Sequence, residues 1–134
     1  MAKKINSNKK GKVAELEVAH LIQDYGFIAR RGQQFAGGND SPDVVSNLGL
    51  HIEVKRVEAF NLYKAVEQAT TDCNSLEYAI FHRKSGKAWQ VIQDARTFLF
   101  HKEYVRNLED NYKKVVKENE LLKTIEDKFN ALTR

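Results

Sequence analysis

Apolar and polar residues alternate most clearly from Leu50 to Val54, the period of a strand with one buried face. Just before it, Ser41-Pro42-Asp43-Val44-Val45-Ser46 reads as a second strand, and Asn47-Leu48-Gly49 suits a three-residue hairpin loop with Gly49 in the left-handed position. Centring the turn on Leu48 pairs Val44 with Ile52 and Asp43 with Glu53. Val44, Leu50, Ile52 and Val54 then share the face that enters the core. Asp43, His51, Glu53 and Lys55 share the other.

The pattern changes to helical spacing on either side. Residues 8–25 predict a helix capped by Ser7 or Asn8 and stopped by Gly26, with Ala14, Val18, Leu21, Ile22 and Tyr25 on one face. Glu15 and Glu17 sit on opposite borders of that face, and periodicity does not choose which of them leans over a neighbouring sheet. Residues 27–31 predict a short strand, followed by a glycine- and amide-rich loop over 32–40. Asn61 caps a second helix running to about Asp72, with Leu62, Val66 and Ala69 inward. Residues 77–82 and 88–92 predict two strands joined through Lys84-Ser85-Gly86-Lys87, with Trp89 in the core. The order is helix, three strands, helix, two strands, helix, hence an α/β fold with helices packed on a sheet.

Residues 95–134 lack Gly and Pro. Val105, Leu108, Tyr112, Val115, Asn119, Leu122, Glu126 and Phe129 recur at alternating spacings of three and four, a heptad pattern with polar Asn119 at a core position and Glu126 breaking it. This segment is read as a C-terminal helical extension to a domain over residues 1–94. It either dimerises or folds as an amphipathic helix onto its own domain.

Composition narrows the function classes. At 134 residues and 42% apolar content the chain is globular, and no apolar run is long enough to span a membrane. No signal peptide is visible, and the lone Cys73 excludes an intrachain disulfide framework; both fit a cytoplasmic protein. The net charge of +4 is uneven: Lys3, Lys4, Lys9, Lys10 and Lys12 all precede the first acidic residue, Glu15, an arm suited to a polyanion. Arg30 and Arg31 are candidate phosphate contacts, and Gly37 and Gly38 let a backbone approach a phosphate.

The hairpin carries the candidate chemistry. Its register sets the carboxylates of Asp43 and Glu53 opposite each other, with Cβ atoms about 5 Å apart. Like charges so placed repel, and a divalent cation between them removes the repulsion. Hard cations such as Mg²⁺ take carboxylate oxygens and keep several waters. Lys55 projects from the same strand face, where an ammonium holds a phosphate oxygen or orients an attacking water. His51, on that face too, is read as a packed surface histidine, with contact to DNA or a bound water as the alternative.

Pro42-Asp43 followed by Glu53-Val54-Lys55 resembles the PD-(D/E)XK nuclease signature. Gly11-Lys12-Val13-Ala14-Glu15, the glycine-rich loop, Ser41-Pro42-Asp43-Val44-Val45, His51-Ile52-Glu53-Val54-Lys55-Arg56 and Glu67-Gln68-Ala69 together resemble the archaeal-type Holliday junction resolvases, and still more their phage and prophage relatives, over roughly residues 9 to 93. The resemblance implies a restriction-endonuclease-like core (α-β-β-β-α-β-β, a mixed central sheet flanked by helices) and a homodimeric endodeoxyribonuclease that uses Mg²⁺, with Mn²⁺ substituting. It acts on branched or four-way-junction DNA without a small-molecule cofactor.

By position, the resemblance makes Glu15, Asp43 and Glu53 metal ligands, with the Val54 carbonyl as a further one. Lys55 becomes the catalytic lysine and Gln68 a polar residue aimed at the site. Read from charge and loop chemistry, Lys9, Lys10, Lys12, Arg30, Arg31, Gly37, Gly38 and Arg56 are candidate DNA contacts. One departure stands out: where many such enzymes carry a loop serine before glycine, this chain has Ala36. Alternatives are a less selective nicking or restriction-type nuclease, and a module on the same fold that binds branched DNA or a phage protein without cutting.

Overall fold

The structure, a computed structural model, describes residues 6–33, 41–74 and 76–134. The chain divides into two compact units, Met1–Asp94 and Ala95–Arg134. In the first, the elements run α1 (Ser7–Asp24), β1 (Ala29–Arg31), β2 (Val44–Ser46), β3 (Leu50–Arg56), α2 (Leu62–Asp72), β4 (Glu77–Arg83) and β5 (Gln90–Ile92). The five strands form one sheet in the order β1-β2-β3-β4-β5. Only β3 and β4 pair in parallel; the other neighbours are antiparallel. A parallel pair needs a crossover, and α2 supplies it. The chain is therefore α/β with a mixed sheet.

Helices cover both faces. Val18, Ala19 and Ile22 of α1 pack with Ala29, Val44, Ile52, Ala79 and Phe81, and Leu48, Leu50, Val54 and Trp89 border that cluster. Ala65 and Ala69 of α2 pack with Ile80, flanked by Phe60, Val66, Tyr78 and Ile92. Along β4 the assignment alternates residue by residue, Ala79 and Phe81 toward α1 and Tyr78 and Ile80 toward α2, as a pleated strand requires.

The hairpin β2–β3 has the register read from the sequence at its centre, Val44 opposite Ile52, and Gly49 takes φ +71° in the turn. Asp43 does not continue the ladder opposite Glu53. Its amide donates to the Ile52 carbonyl at 2.9 Å and its carboxylate accepts from the Val54 amide at 2.8 Å, so a side chain stands where a backbone carbonyl would otherwise act.

Several boundaries differ from the sequence reading. The cap of α1 is Asn6, whose side chain accepts from the Lys9 amide, and the helix begins at Ser7. Strand β1 starts at Ala29 because the Asn47 side chain takes the Ile28 amide at 2.9 Å and the Asn47 amide donates to the Ile28 carbonyl, which leaves Phe27 and Ile28 outside the ladder and exposed. Tyr25 and Leu62, expected inward, are exposed. Asn61 caps α2 as expected. Trp89 is half-buried at the edge of the larger cluster, beneath the Arg83 guanidinium at 4.9 Å.

The second unit is a single 38-residue helix, α3 (Ala95–Leu132), none of whose residues is buried. No helix among the described residues is long and apolar enough to cross a membrane.

Candidate active site

Strand β3 sends alternate side chains to the face that α2 covers, and His51, Glu53 and Lys55 are the ones it sends. His51 and Glu53 are each 3% exposed. The sequence reading put His51 on the surface. It is buried, because β3 is an interior strand of a sheet covered on both sides, and its Nε2 lies 2.9 Å from Glu53 Oε1. The other Glu53 oxygen accepts from Lys55 Nζ at 3.3 Å. The same ammonium donates to Gln68 Oε1 on α2 at 3.2 Å. Glu53 is thus held from two sides, and Lys55 is fixed between a carboxylate and an amide.

Asp43 enters from the end of β2. Burial first, then the charge of Glu53, raise its carboxyl from 3.8 to about 6; the Val54 amide and Lys55 oppose this, and Glu15 adds a smaller upward push. The Glu53 charge is therefore close enough to disturb the ionisation of Asp43, with Glu15 in range. The backbone at Val54, for which a carbonyl role was expected, meets Asp43 through its amide.

A contact that the sequence reading missed secures Asp43. The Gly32 amide donates to the Asp43 carbonyl at 2.8 Å, and a Cβ at Gly32 would stand 2.1 Å from the Pro42 carbonyl oxygen. Only glycine lets β1 and the Pro42-Asp43 backbone approach so closely. The signal in the sequence was the glycine directly after Arg31 at the end of a strand.

The two helix-border glutamates are both used. Glu15 accepts from Arg31 Nε in a short ion pair. Glu17 bridges two arginines, 3.2 Å from Arg56 Nη1 and 2.9 Å from Arg83 Nη2. Two expected DNA contacts, Arg31 and Arg56, are therefore engaged within the fold. Lys9, Lys12 and Arg30 are exposed, and Lys10 lies 4.0 Å from Glu58. Lys9, Lys10 and Arg56 line one cleft with Asn6, Val13 and Ser85. Gly37, Gly38 and the Ala36 departure lie outside the described residues, as do Lys3 and Lys4.

Among the described residues no three His, Cys, Asp or Glu side chains stand together as a ready metal-ligand group. Asp43 and Glu53 nevertheless fit a hard cation. They are oxygen donors whose mutual repulsion a positive ion would relieve, and that repulsion is the second cause, after burial, of the raised Asp43 carboxyl. The Glu15 carboxylate is occupied by Arg31.

Fold and site together define an α/β protein with an acid–acid–lysine–amide cluster at the junction of β2, β3 and α2. Compared with protein-family models, with curated proteins and with solved structures, the chain matches none.

Proposed function

We propose that the protein is a metal-dependent endodeoxyribonuclease of the PD-(D/E)XK type, selective for branched DNA in the manner of a Holliday junction resolvase and working as a homodimer. The observation that carries this reading is the placement of Lys55. Its ammonium lies 3.3 Å from Glu53 and 3.2 Å from Gln68, beside an Asp43 carboxyl pushed up to about 6. A surface lysine has no need of such an arrangement; one that must meet a phosphate oxygen at a fixed point does.

Asp43 and Glu53 would hold Mg²⁺ or Mn²⁺, and Glu15 would join them on release from Arg31. A bound ion of this kind polarises a phosphoryl oxygen and lowers the pKa of water. Gln68 and Glu53 orient the Lys55 ammonium, which binds a non-bridging phosphate oxygen and offsets charge developing on phosphorus. His51 holds the Glu53 carboxylate in place. Water adds to phosphorus and gives up a proton to solvent, the P–O3′ bond breaks, the 3′ oxygen takes a proton from solvent, and a 5′-phosphate remains. The cleft of Lys9, Lys10 and Arg56 offers positive charge to a flanking phosphate.

A second reading rests on the Glu15–Arg31 pair: with one of three carboxylates engaged, the same surface would bind branched DNA without cutting it. A four-way junction and a linear duplex of the same sequence, each with Mg²⁺ and with chelator, separate these readings. Metal-dependent cutting of the junction over the duplex is expected. Equal cutting of both would point to a general nicking nuclease, and binding without cutting in Mg²⁺ or Mn²⁺ to the module. Full cutting in chelator would remove the metal site.

A further inference from the structure

Helix α3 runs for 38 residues, about 57 Å at the usual rise, without burying a side chain. Phe98, Val105, Leu108, Tyr112, Val115, Leu122 and Phe129 are all exposed along it. In proteins, helices draw most of their stability from packing an apolar face. Placing Val105 at position a of a heptad puts Tyr112, Asn119 and Glu126 at a, and Leu108, Val115, Leu122 and Phe129 at d. The ion pairs within the helix, Glu103–Arg106 and Asp110–Lys113, then fall at f and b, on the side away from that seam.

We infer that α3 is one strand of a parallel, in-register, two-stranded coiled coil formed with a second copy of this chain. The polar seam residue Asn119 favours a second copy in parallel register. In a parallel pair a faces a and d faces d, so Asn119 meets Asn119 and the two amides satisfy each other. Residues at g face residues at e five positions on in the partner. That sets Glu118 against Lys123, and no g–e pair in this register carries like charges. An antiparallel pair instead sets each a residue against a d residue. The alignment that brings Glu109 to Lys123 would then place Asn119 on Val115 and Glu118 on a second Glu118. Glu126 is the seam's weak point, since two copies put two carboxylates side by side.

The proposal is independent of DNA cleavage, and its test does not use cleavage. In the full-length chain with Cys73→Ser, Asn119→Cys should form a disulfide-linked dimer under mild oxidation, whereas Lys117→Cys, at an outward f position, should not. Sedimentation equilibrium should show a dimer whose Kd rises more than about a hundredfold in Val115→Glu/Leu122→Glu. Glu126→Leu should lower Kd about tenfold or more. The inference is overturned if Asn119→Cys links no faster than Lys117→Cys, if the double variant dimerises as tightly as the parent, if Glu126→Leu leaves Kd unchanged, or if the parent stays monomeric at high micromolar concentration.

Discussion

His51 and Glu53, two positions apart on β3 and each 3% exposed, join Nε2 to Oε1 at 2.9 Å. A buried carboxylate oxygen without a partner is costly, so the histidine stabilises the acid that the strand forces into the interior. His51→Ala is expected to lower stability by roughly 1–3 kcal/mol, with His51→Gln restoring part of it. Urea unfolding of the three proteins measures this. A neutral His51→Ala would mean that water or Lys55 satisfies Glu53 unaided.

The raised Asp43 carboxyl makes stability depend on pH. Its folded value is about 6 against an ordinary 3.8, so between those values the folded chain keeps a proton that the unfolded chain has released. Stability should therefore fall as pH rises from about 4 to about 6, and the penalty should persist above that range. Asp43→Asn removes the charge and keeps a carbonyl for the Val54 amide. It should raise stability at neutral pH by roughly 1–3 kcal/mol, the upper end being the full shift and partial exposure reducing it. It should also flatten this part of the profile. Melting temperature against pH for both proteins, without added metal, is the measurement.

Lys55→Ala and Glu53→Gln address the chemistry. Each removes a group whose interaction grows in the transition state, so single-turnover cutting should drop by about a hundredfold or more while junction affinity changes little. Gel-shift and quench-flow measurements on the same preparations separate the two effects. A variant cutting at the parent rate would leave the Lys55 geometry without a catalytic role.

Glu15 and Glu17 should diverge. Removing the Glu17 charge leaves Arg56 and Arg83 facing each other half-buried, with their Nε atoms already unpartnered, and Glu17→Gln is expected to cost roughly 1–3 kcal/mol. The loss should shrink toward zero if Arg83→Met is added, and cutting per folded molecule should be unchanged. Glu15→Gln should depress cutting at low Mg²⁺ far more than it depresses folding. Thermal melts and a Mg²⁺ titration of activity distinguish them.

How much of this was visible in the chain depends on which interaction sets each feature. The Val44–Ile52 register was legible because a turn of fixed length and strict alternation leave one solution. The burial of His51 was not. Alternation separates the two faces of a strand but does not say whether the second is covered, and that depends on where the crossover helix α2 lies. Glu15 and Glu17 posed as alternatives for the same reason. Glu15 leans on Arg31 of β1 and Glu17 on Arg56 of β3 and Arg83 of β4, and strand order, which brings these arginines to α1, is not written in local periodicity. The start of β1 was misplaced because a side chain 19 residues away, Asn47, takes the Ile28 amide.

The one parallel joint in the sheet sets an order of assembly. The hairpin closes Val44 on Ile52, eight residues apart, and brings Asp43 toward Val54 and Glu53 with it. Bringing Leu50 to Glu77 closes 27 residues, an extra loop entropy of about 1 kcal/mol, and only that crossover seats Gln68 against Lys55. The acidic pair is thus local in the chain, whereas the contact that holds the Lys55 ammonium from α2 is not.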